Sequence, residues 1–200
     1  MDKIGDFKNL HRGKRLFILA SGPSLSTLDL SPLKRRMVMG LNRSFLAYPD
    51  GRYHCVMDHR LFELFPSQLR QTRCLFTLEN RPWGIPIKLL GAEKFSLDLE
   101  QGIYSGYTVS YLALQVAHYM GFKEIFFLGL DLKLDRGRTH FFGYDFRSSS
   151  HEKTEFPRMR KMLAHGAHIL KKQGVCVYNC SLDADLDCFP KVSFDYAMSL

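Results

Sequence analysis

Six short apolar runs rich in valine, isoleucine and phenylalanine recur along the chain, and they constrain its fold more than any other feature. Longer polar or helix-forming stretches separate them, an alternation typical of a parallel sheet with helices on its faces. The runs occupy residues 15–20, 37–41, 54–58, 74–78, 124–131 and 175–180, and residues 86–91 are a weaker seventh candidate. The sequence therefore predicts an α/β protein whose sheet is mostly parallel and flanked by helices.

Two further segments have the pattern of helices. The first has apolar side chains at near-helical intervals, namely Val109, Leu112, Val116 and Met120, and Gly121 follows where a helix commonly ends. The second is predicted from residue 155 or 156 to about residue 173. Between the fifth run and this helix, residues 132–151 lack periodicity and are rich in polar, aromatic and glycine residues, which indicates a binding loop or lid.

Length and composition favour one domain over the whole chain, residues 1–200. With 200 residues, of which 46% are hydrophobic, the chain can bury one substantial core. Its apolar runs are far shorter than the roughly 20 residues of a membrane span, and the N-terminus lacks the apolar stretch of a signal peptide. We therefore expect a cytoplasmic protein, and peripheral contact with the inner membrane face is compatible with this expectation.

The net charge of +8 favours anionic partners, which include nucleotides, sugar phosphates, nucleic acid and an acidic membrane face, and the charge does not choose among them. No aromatic-plus-basic motif or helix-turn-helix pattern predicts a nucleic-acid partner. The five cysteines lack the spacing of a zinc site, so no metal site is predicted from them. A homo-oligomer is possible, and this expectation rests only on how common symmetric oligomers are among soluble enzymes.

Polar residues follow the first predicted strand, where ligands bind in open α/β sheets. Ser21, Gly22, Pro23 and Ser24 form a turn there. Glycine permits close approach of a ligand, and the hydroxyls with free helix amides can donate to a phosphate. A simple strand-to-helix turn explains the same residues, and neither a GxGxxG nor a GxxxxGK[ST] pattern is present.

Other predicted strands also end in polar residues. Asn42 follows the second strand and can contact a base edge or a ribose hydroxyl, or it can cap a turn. Asp58 ends the third, where it is either a ligand-binding residue or a helix N-cap. Asp131 ends the fifth, at the start of the predicted loop.

Ser105 and Gly106 precede the first predicted helix, and Thr108 lies one residue before its apolar pattern begins. A helix N-terminus attracts anions, so this segment is a second candidate phosphate site, with a simple serine N-cap as the alternative. In the predicted loop, His140 lies beside arginine, threonine and aromatic residues. A loop histidine can act as a general base or as a donor to phosphate, although many isolated histidines are structural.

Five segments of the chain, taken in order, resemble a known group of enzymes. They are ASGPSL, GLNRSF, VMDHRLF, YSGYTVSYLALQVAHYMGFKEIFFLGLDL and THFFGYD. The set resembles bacterial sialyltransferases of Rossmann-like fold that use CMP-linked sialic acid, and the related motility-associated glycosyltransferases and archaeal 6-hydroxymethylpterin diphosphokinase. The resemblance covers roughly residues 15–146 and implies a Rossmann-like sheet.

The resemblance also implies roles for individual residues. It assigns contacts with the donor nucleotide to Ser21, Gly22, Ser24, Asn42, Ser105 and Gly106, and Pro23, Thr108 and Asp131 complete the predicted nucleotide-binding set. Asp58 is included with them, although the sialyltransferases have asparagine there. His140 and Tyr144 are the predicted catalytic residues. Tyr144 stands where the sialyltransferases have a histidine general base, and His140 aligns with an earlier histidine of the motif.

The sequence thus predicts a nucleotide-dependent transferase, in the first place a glycosyltransferase that moves a CMP-activated, sialic-acid-like sugar to a glycan or small-molecule acceptor. The role implied is surface-glycan or lipopolysaccharide synthesis, with no cofactor required. One alternative is an ATP-dependent diphosphokinase acting on a small alcohol such as a pterin, with Mg²⁺ held by Asp58 and Asp131. Another is a non-catalytic nucleotide-binding module.

Overall fold

A computed structural model describes residues 3–143 and 149–200, and for residues 149–153 it describes the backbone alone. Seven strands form one parallel sheet in this part of the chain: β1 (Arg15–Leu19), β2 (Val38–Leu41), β3 (Tyr53–Val56), β4 (Leu75–Leu78), β5 (Ile85–Ile87), β8 (Glu124–Leu128) and β9 (Cys176–Asn179). The strand order is β5-β4-β3-β2-β1-β8-β9. Two more strands, β6 (Leu89–Gly91) and β7 (Ile103–Tyr104), pair with each other in parallel.

The helices are α1 (Arg60–Leu64), α2 (Pro66–Gln71), α3 (Val109–Tyr119), α4 (Ser149–Lys172) and α5 (Phe194–Ser199). Four 3-10 helices cover Ile4–Phe7, Pro23–Thr27, Ser31–Arg35 and Asn42–Leu46. Among the described residues, no helix combines the length and the apolar character needed to cross a membrane.

Strand β1 is buried on both faces of the sheet, which explains why its sequence is continuously apolar rather than alternating. Leu16 and Ile18 belong to the core cluster that includes residues of α3 and α4. Phe17 and Leu19 belong to the cluster on the other face, which includes residues of α5. The fold is therefore an α/β sandwich of three layers, and the predicted fold class is confirmed.

The chain reverses its direction of travel across the sheet at β1. It first adds β2 to β5 on one side, and then returns to place β8 on the other side of β1. In open α/β sheets such a reversal opens a crevice at the carboxyl ends of the two strands, where ligands bind. The end of β1 and the end of β8 therefore define the expected location of a site.

Three predicted boundaries differ from the structure. The apolar run 124–131 is a strand only to Leu128, because Gly129 turns the chain with a φ of 72°. Residues 86–91 contribute to two strands, one in each sheet. Helix α4 begins at Ser149, earlier than predicted, and continues through Pro157, which removes one helical hydrogen bond without ending the helix. The predicted loop 132–151 is accordingly shorter.

Gln115 of α3 ties the helix to the segment that leads into it. It is completely buried, and its Oε1 accepts hydrogen bonds from the amides of Ser96 (3.0 Å) and Tyr104 (3.1 Å). Its Nε2 donates to the carbonyls of Tyr104 (2.8 Å) and Tyr111 (3.0 Å). One side chain thus forms hydrogen bonds with four buried or part-buried backbone groups next to the start of α3.

His54 of β3 is a second buried polar group with a structural task. It is 3% exposed, and its Nε2 donates to the carbonyl oxygen of Asn42 at 2.8 Å. Burial lowers the pKa of His54 to about 4, so the imidazole is neutral at physiological pH. The backbone at the end of β2 is therefore held by an uncharged donor from the neighbouring strand.

Replacement of Gln115 by leucine should destabilise the fold by about 3 kcal/mol, because an isosteric apolar side chain leaves the buried backbone groups without partners. Urea unfolding of the wild type and of Gln115→Leu measures this difference in unfolding free energy. Gln71→Leu is the matched control, since Gln71 is exposed at the end of α2. Equal stability of the two variants would contradict the role assigned to Gln115.

The neutral state of His54 should make the fold sensitive to acid. The unfolded chain takes up this proton near pH 6.5, whereas the folded chain resists it until about pH 4. The contribution is complete above pH 6.5 and is lost as the pH falls towards 4, by about 2 to 3 kcal/mol.

Urea unfolding at pH 7 and pH 4.5 tests this expectation in the wild type and in His54→Gln. The variant keeps a donor to the carbonyl of Asn42 but has no proton to bind, so its unfolding free energy should fall less with acid. Burial lowers the pKa of His11 and His118 in the same direction, and both remain in the variant as a common background. Identical pH dependence in both proteins would contradict the assignment.

Candidate functional site

A cavity of about 580 Å³ lies at the carboxyl ends of the parallel strands. Its described lining comes from five strand ends, from the start of α3, from the loop after β8 and from α4. The residues that follow β1, β2, β3, β4 and β8 in it are Ser21, Gly22, Asn42, Asp58, Arg81 and Asp131. This volume falls in the range of about 300 to 1,000 Å³ that is usual for small-molecule sites.

The cavity brings together seven of the predicted site residues, which are Ser21, Gly22, Asn42, Asp58, Thr108, Asp131 and His140. Four others, Pro23, Ser24, Ser105 and Gly106, are not among its described lining residues. Tyr144 lies outside the described residues. The predicted edge of the sheet is thus the place where these side chains meet, but the individual predictions differ in outcome.

Ser24 and Asp131 are bonded to each other rather than directed at the cavity as a pair of ligand-binding groups. The Ser24 amide donates to Oδ2 of Asp131 at 2.7 Å, and the Ser24 hydroxyl donates to Oδ1 at 2.6 Å. Asp131 is only 3% exposed, so its carboxylate relies on these two donors. Ser24 Oγ also lies 2.9 Å from Ser181 Oγ, beyond the end of β9.

The other amides of the turn after β1 are engaged as well. The Gly22 amide donates to the carbonyl of Gly129 at 2.8 Å, and Pro23 has no amide hydrogen. A β-carbon at Gly22 would lie 2.5 Å from Oδ2 of Asp131, so only glycine fits. The turn was predicted to offer its amides to a phosphate, and the structure instead gives those of Gly22 and Ser24 to acceptors of the protein.

The segment before α3 shows the same internal use of donors. The Ser105 amide donates to the carbonyl of Gly91 at 2.9 Å, and the Gly106 amide to that of Ala92 at 3.0 Å. These bonds extend the pairing of β6 with β7. Gly106 adopts a φ of 53°, and a β-carbon there would lie 2.3 Å from the ring of Tyr111, so the glycine serves the fold.

The start of α3 itself does line the cavity. Thr108 is the N-cap, and its Oγ1 accepts from the Ser110 amide at 3.3 Å. Tyr107, Thr108, Val109 and Ser110 all contribute to the lining. The positive end of the helix dipole therefore faces the cavity, which favours an anionic ligand group there.

Asn42 has the strongest signature of a ligand-binding residue. It adopts a φ of 46°, a left-handed conformation that asparagine tolerates better than most residues. Its carbonyl accepts from His54, as described above. Its Oδ1 is buried and has no hydrogen-bond partner within the described ranges 3–143 and 149–200. An unsatisfied buried oxygen costs about 1–3 kcal/mol, and a ligand N–H or O–H would relieve this cost.

Asp58 is paired with Arg60 at the end of β3. Nη2 of Arg60 lies 2.5 Å from Oδ2 of Asp58, and Nε lies 3.0 Å from Oδ1. The Mg²⁺ alternative required Asp58 and Asp131, but each of these carboxylates already has partners from the protein. Over the described residues no group of three or more histidine, cysteine or acidic side chains forms a metal site. Both carboxylates are thus engaged within the protein, and the Mg²⁺ alternative stays a prediction.

His140 lies in the loop after β8, which is fastened over the turn after β1 by a hydrogen bond from the Phe141 amide to the Ser21 carbonyl (3.0 Å). The imidazole stacks on the ring of Phe142 with 4.9 Å between centroids. The guanidinium of Arg43 lies over the ring of Phe142, 4.5 Å from its centroid. His140 is thus held at the rim of the cavity by aromatic stacking.

Several lining residues were not among the predicted site residues, and they include Arg81 after β4, and Glu155, Phe156 and Met159 of α4. Glu155 is paired with Arg158 at 3.3 Å. Arg81 follows a strand directly enough to have been found by the rule that ligand-binding residues follow strands. The α4 residues carry no such signal, because the sequence does not show which face of a distant helix reaches the sheet edge.

Known proteins share this architecture. The sequence matches no known protein family and no curated protein. Among solved structures, the MAf glycosyltransferase of Magnetospirillum magneticum AMB-1 is 17% identical with a TM-score of 0.63, over 96% of this chain. The chain spans 37% of the length of that glycosyltransferase.

The sialyltransferase CstII of Campylobacter jejuni also has this fold. Its complex with the substrate analogue cytidine-5'-monophosphate is 16% identical with a TM-score of 0.56, over 91% of this chain and 86% of CstII. A complex of CST-II with a trisaccharide acceptor and CMP is 17% identical with a TM-score of 0.52, over 88% and 85%. The diphosphokinase part of the resemblance is not confirmed. At these identities the likeness concerns the fold, and this chain has the fold of the sialyltransferase-like glycosyltransferases.

Proposed function

We propose that the chain is a glycosyltransferase that uses a CMP-activated, sialic-acid-like sugar in surface-glycan synthesis. The observation that carries the proposal is the cavity at the β1/β8 switch point, whose lining includes Asn42, a residue with a buried side-chain oxygen that has no partner in the described chain. Two of the solved structures that share the fold are complexes of a sialyltransferase with CMP. A nucleotide-sugar donor and a glycan acceptor follow from this proposal.

The nucleoside is assigned to the side of the cavity near Asn42. Its Oδ1 can accept a hydrogen bond from the exocyclic amine of cytosine or from a ribose hydroxyl. The phosphate is assigned to the start of α3, where the helix dipole and the hydroxyls of Ser21 and Thr108 are favourable. The amides of Gly22 and Ser24 take no part, because Gly129 and Asp131 already bind them.

The transfer step needs little chemistry from the protein beyond positioning and electrostatic stabilisation. The acceptor oxygen attacks the anomeric carbon, the bond from this carbon to the phosphate oxygen of CMP breaks, and the acceptor loses its proton. We assign the uptake of that proton to His140, which lines the cavity. The start of α3 stabilises the charge on the departing phosphate.

Metal-independent binding of CMP should raise the melting temperature of the protein. A thermal-shift panel of CMP, CDP, UDP, GDP and ATP, each with and without Mg²⁺, measures this effect; a ligand at about 100 times its Kd adds roughly 2.7 kcal/mol of stability. Asn42→Ala should weaken the binding of CMP about tenfold, the expected cost of one hydrogen bond.

Asn9→Ala is the matched control for Asn42→Ala. Asn9 also has a left-handed backbone, with a φ of 57°, but it lies outside the described lining of the cavity. Its variant reports any general effect of removing such an asparagine. Stabilisation by ATP with Mg²⁺ alone would refute the CMP-sugar assignment in favour of phosphoryl transfer. If no nucleotide in the panel raises the melting temperature, nucleotide use is refuted.

His140→Ala should reduce the rate of sugar transfer from CMP-N-acetylneuraminic acid by about 10²- to 10⁴-fold, the usual contribution of a general base. The affinity for CMP should change little, because the imidazole is assigned to the acceptor. Release of CMP measures the rate, and calorimetry measures the affinity. His168→Ala is the control, since His168 is exposed on α4. A rate within twofold of the wild type would remove His140 from the reaction.

A further inference from the structure

Arg81 is a cavity residue whose position and hydrogen bonds indicate a second anion-binding group, separate from the start of α3. It follows β4, and its side chain lines the cavity. Nε and Nη2 both donate to the carbonyl oxygen of Met57, at 3.1 and 2.6 Å. Nη1 donates to Oδ1 of Asn80 at 2.5 Å. The guanidinium is therefore fixed in place by two neighbouring strand ends.

These bonds use three of the five guanidinium N–H groups. One N–H on Nη1 and one on Nη2 remain. The two end nitrogens of a guanidinium form a planar fork that matches the spacing of two oxygens in a carboxylate or a phosphate. Anchoring by Met57 and Asn80 thus presents the end of the side chain, already ordered, for bidentate binding.

The positive charge of Arg81, unlike that of nearby arginines, has no acidic partner among the described residues. Arg60 in the same cavity is neutralised by Asp58, with Nη2 2.5 Å from Oδ2. Arg158 on α4 is paired with Glu155 at 3.3 Å. Arg81 contacts only neutral oxygens among the described residues. A cation that lines a cavity and has no acidic partner there favours an anionic ligand.

The backbone of the site strengthens this argument. The amides of Gly22 and Ser24, and those of Ser105 and Gly106, are bonded to protein acceptors. Anion binding in this cavity therefore depends on side chains and on the start of α3. Arg81 is three strands away from β1, and strands in a sheet lie roughly 4.8 Å apart. A group bound at Arg81 is thus remote from one bound at the β1/β8 crevice.

We propose that Arg81 binds an anionic group of the ligand, a carboxylate or a phosphate, through the two N–H groups at the end of its guanidinium. Under the proposed function, on which the ligand's identity rests, the phosphate of CMP lies at the start of α3, so the group expected at Arg81 is the carboxylate of a sialic-acid-like sugar. Binding of the phosphate at Arg81 instead is an outcome that the test distinguishes. A carboxylate and a phosphate would accept the same two hydrogen bonds from Arg81. The affinities of ligands that carry one group or both distinguish between them.

Calorimetry on wild type, Arg81→Gln and Arg81→Lys, with CMP-N-acetylneuraminic acid, CMP, cytidine and inorganic pyrophosphate as probes, tests the proposal. Arg81→Gln should weaken CMP-N-acetylneuraminic acid at least tenfold. Arg81→Lys keeps the charge but not the fork, so its loss should be smaller. If Arg81 binds the carboxylate, the affinity for CMP stays within twofold; if it binds the phosphate, CMP weakens as well. Cytidine carries no charge, and its affinity should not change.

Arg70→Gln is the matched control. The guanidinium of Arg70, in α2 before β4, stacks on Trp83 with 4.0 Å to the ring centroid, and Arg70 is not among the described residues of the cavity. The Arg70→Gln substitution removes the same net charge as Arg81→Gln but leaves the cavity unchanged, so the affinities of this variant should remain those of the wild type.

Two results would overturn the assignment. One is that Arg81→Gln binds every anionic probe with the affinity of the wild type. A wild type that binds no anionic probe counts as the same result. The other is an equal loss for cytidine and for the anions, which would show that Arg81 acts only through its bonds to Met57 and Asn80. Failure of the proposed function is distinguishable from both. In that case the wild type binds pyrophosphate but no cytidine nucleotide, and Arg81→Gln weakens the pyrophosphate.

Discussion

The carboxylate of Asp131 connects the parts of the molecule on which the cavity depends. It lies beyond β8, and it accepts the amide and the hydroxyl of Ser24 beyond β1. The Ser24 hydroxyl in turn contacts Ser181 beyond β9. Three neighbouring strands are thus joined at their carboxyl ends by one buried charge and its donors. Gly22 is required in this arrangement, because a side chain there would occupy the space of the carboxylate.

This use of Asp131 determines how the site can recognise a ligand. A strand-to-helix turn in an α/β protein commonly offers its amides to a phosphate. Here an internal carboxylate occupies that place, and a bound phosphate would compete with a negative charge that is already stabilised. Under the proposed function, recognition therefore falls to the start of α3, to the side chain of Asn42 and, three strands away from β1, to the guanidinium of Arg81. The turn contributes rigidity instead of donors.

The strands of the large sheet and the edge that carries the cavity could be predicted from the sequence, because the apolar runs and the polar residues after them depend on local order along the chain. The hydrogen-bond acceptor of each backbone donor could not be predicted from the sequence. Ser105 and Gly106 look identical in sequence whether their amides face a phosphate or the carbonyls of Gly91 and Ala92. Arg81 was missed for the opposite reason. Its position after β4 could have been found from the sequence, but the hydrogen bond that fixes its guanidinium comes from the carbonyl of Met57, 24 residues away, and no motif records that contact.

The pairing of His54 with Asn42 shows how stability and ligand recognition are linked in this fold. The buried imidazole of His54 stays neutral, and its N–H donates to the carbonyl of Asn42. This hydrogen bond holds Asn42 in a left-handed conformation. The same conformation leaves Oδ1 of Asn42 buried without a partner in the described chain. The free protein therefore carries a cost of about 1–3 kcal/mol at this oxygen. A ligand that donates a hydrogen bond there recovers this energy without further ordering of the backbone, which favours binding because the position is already fixed.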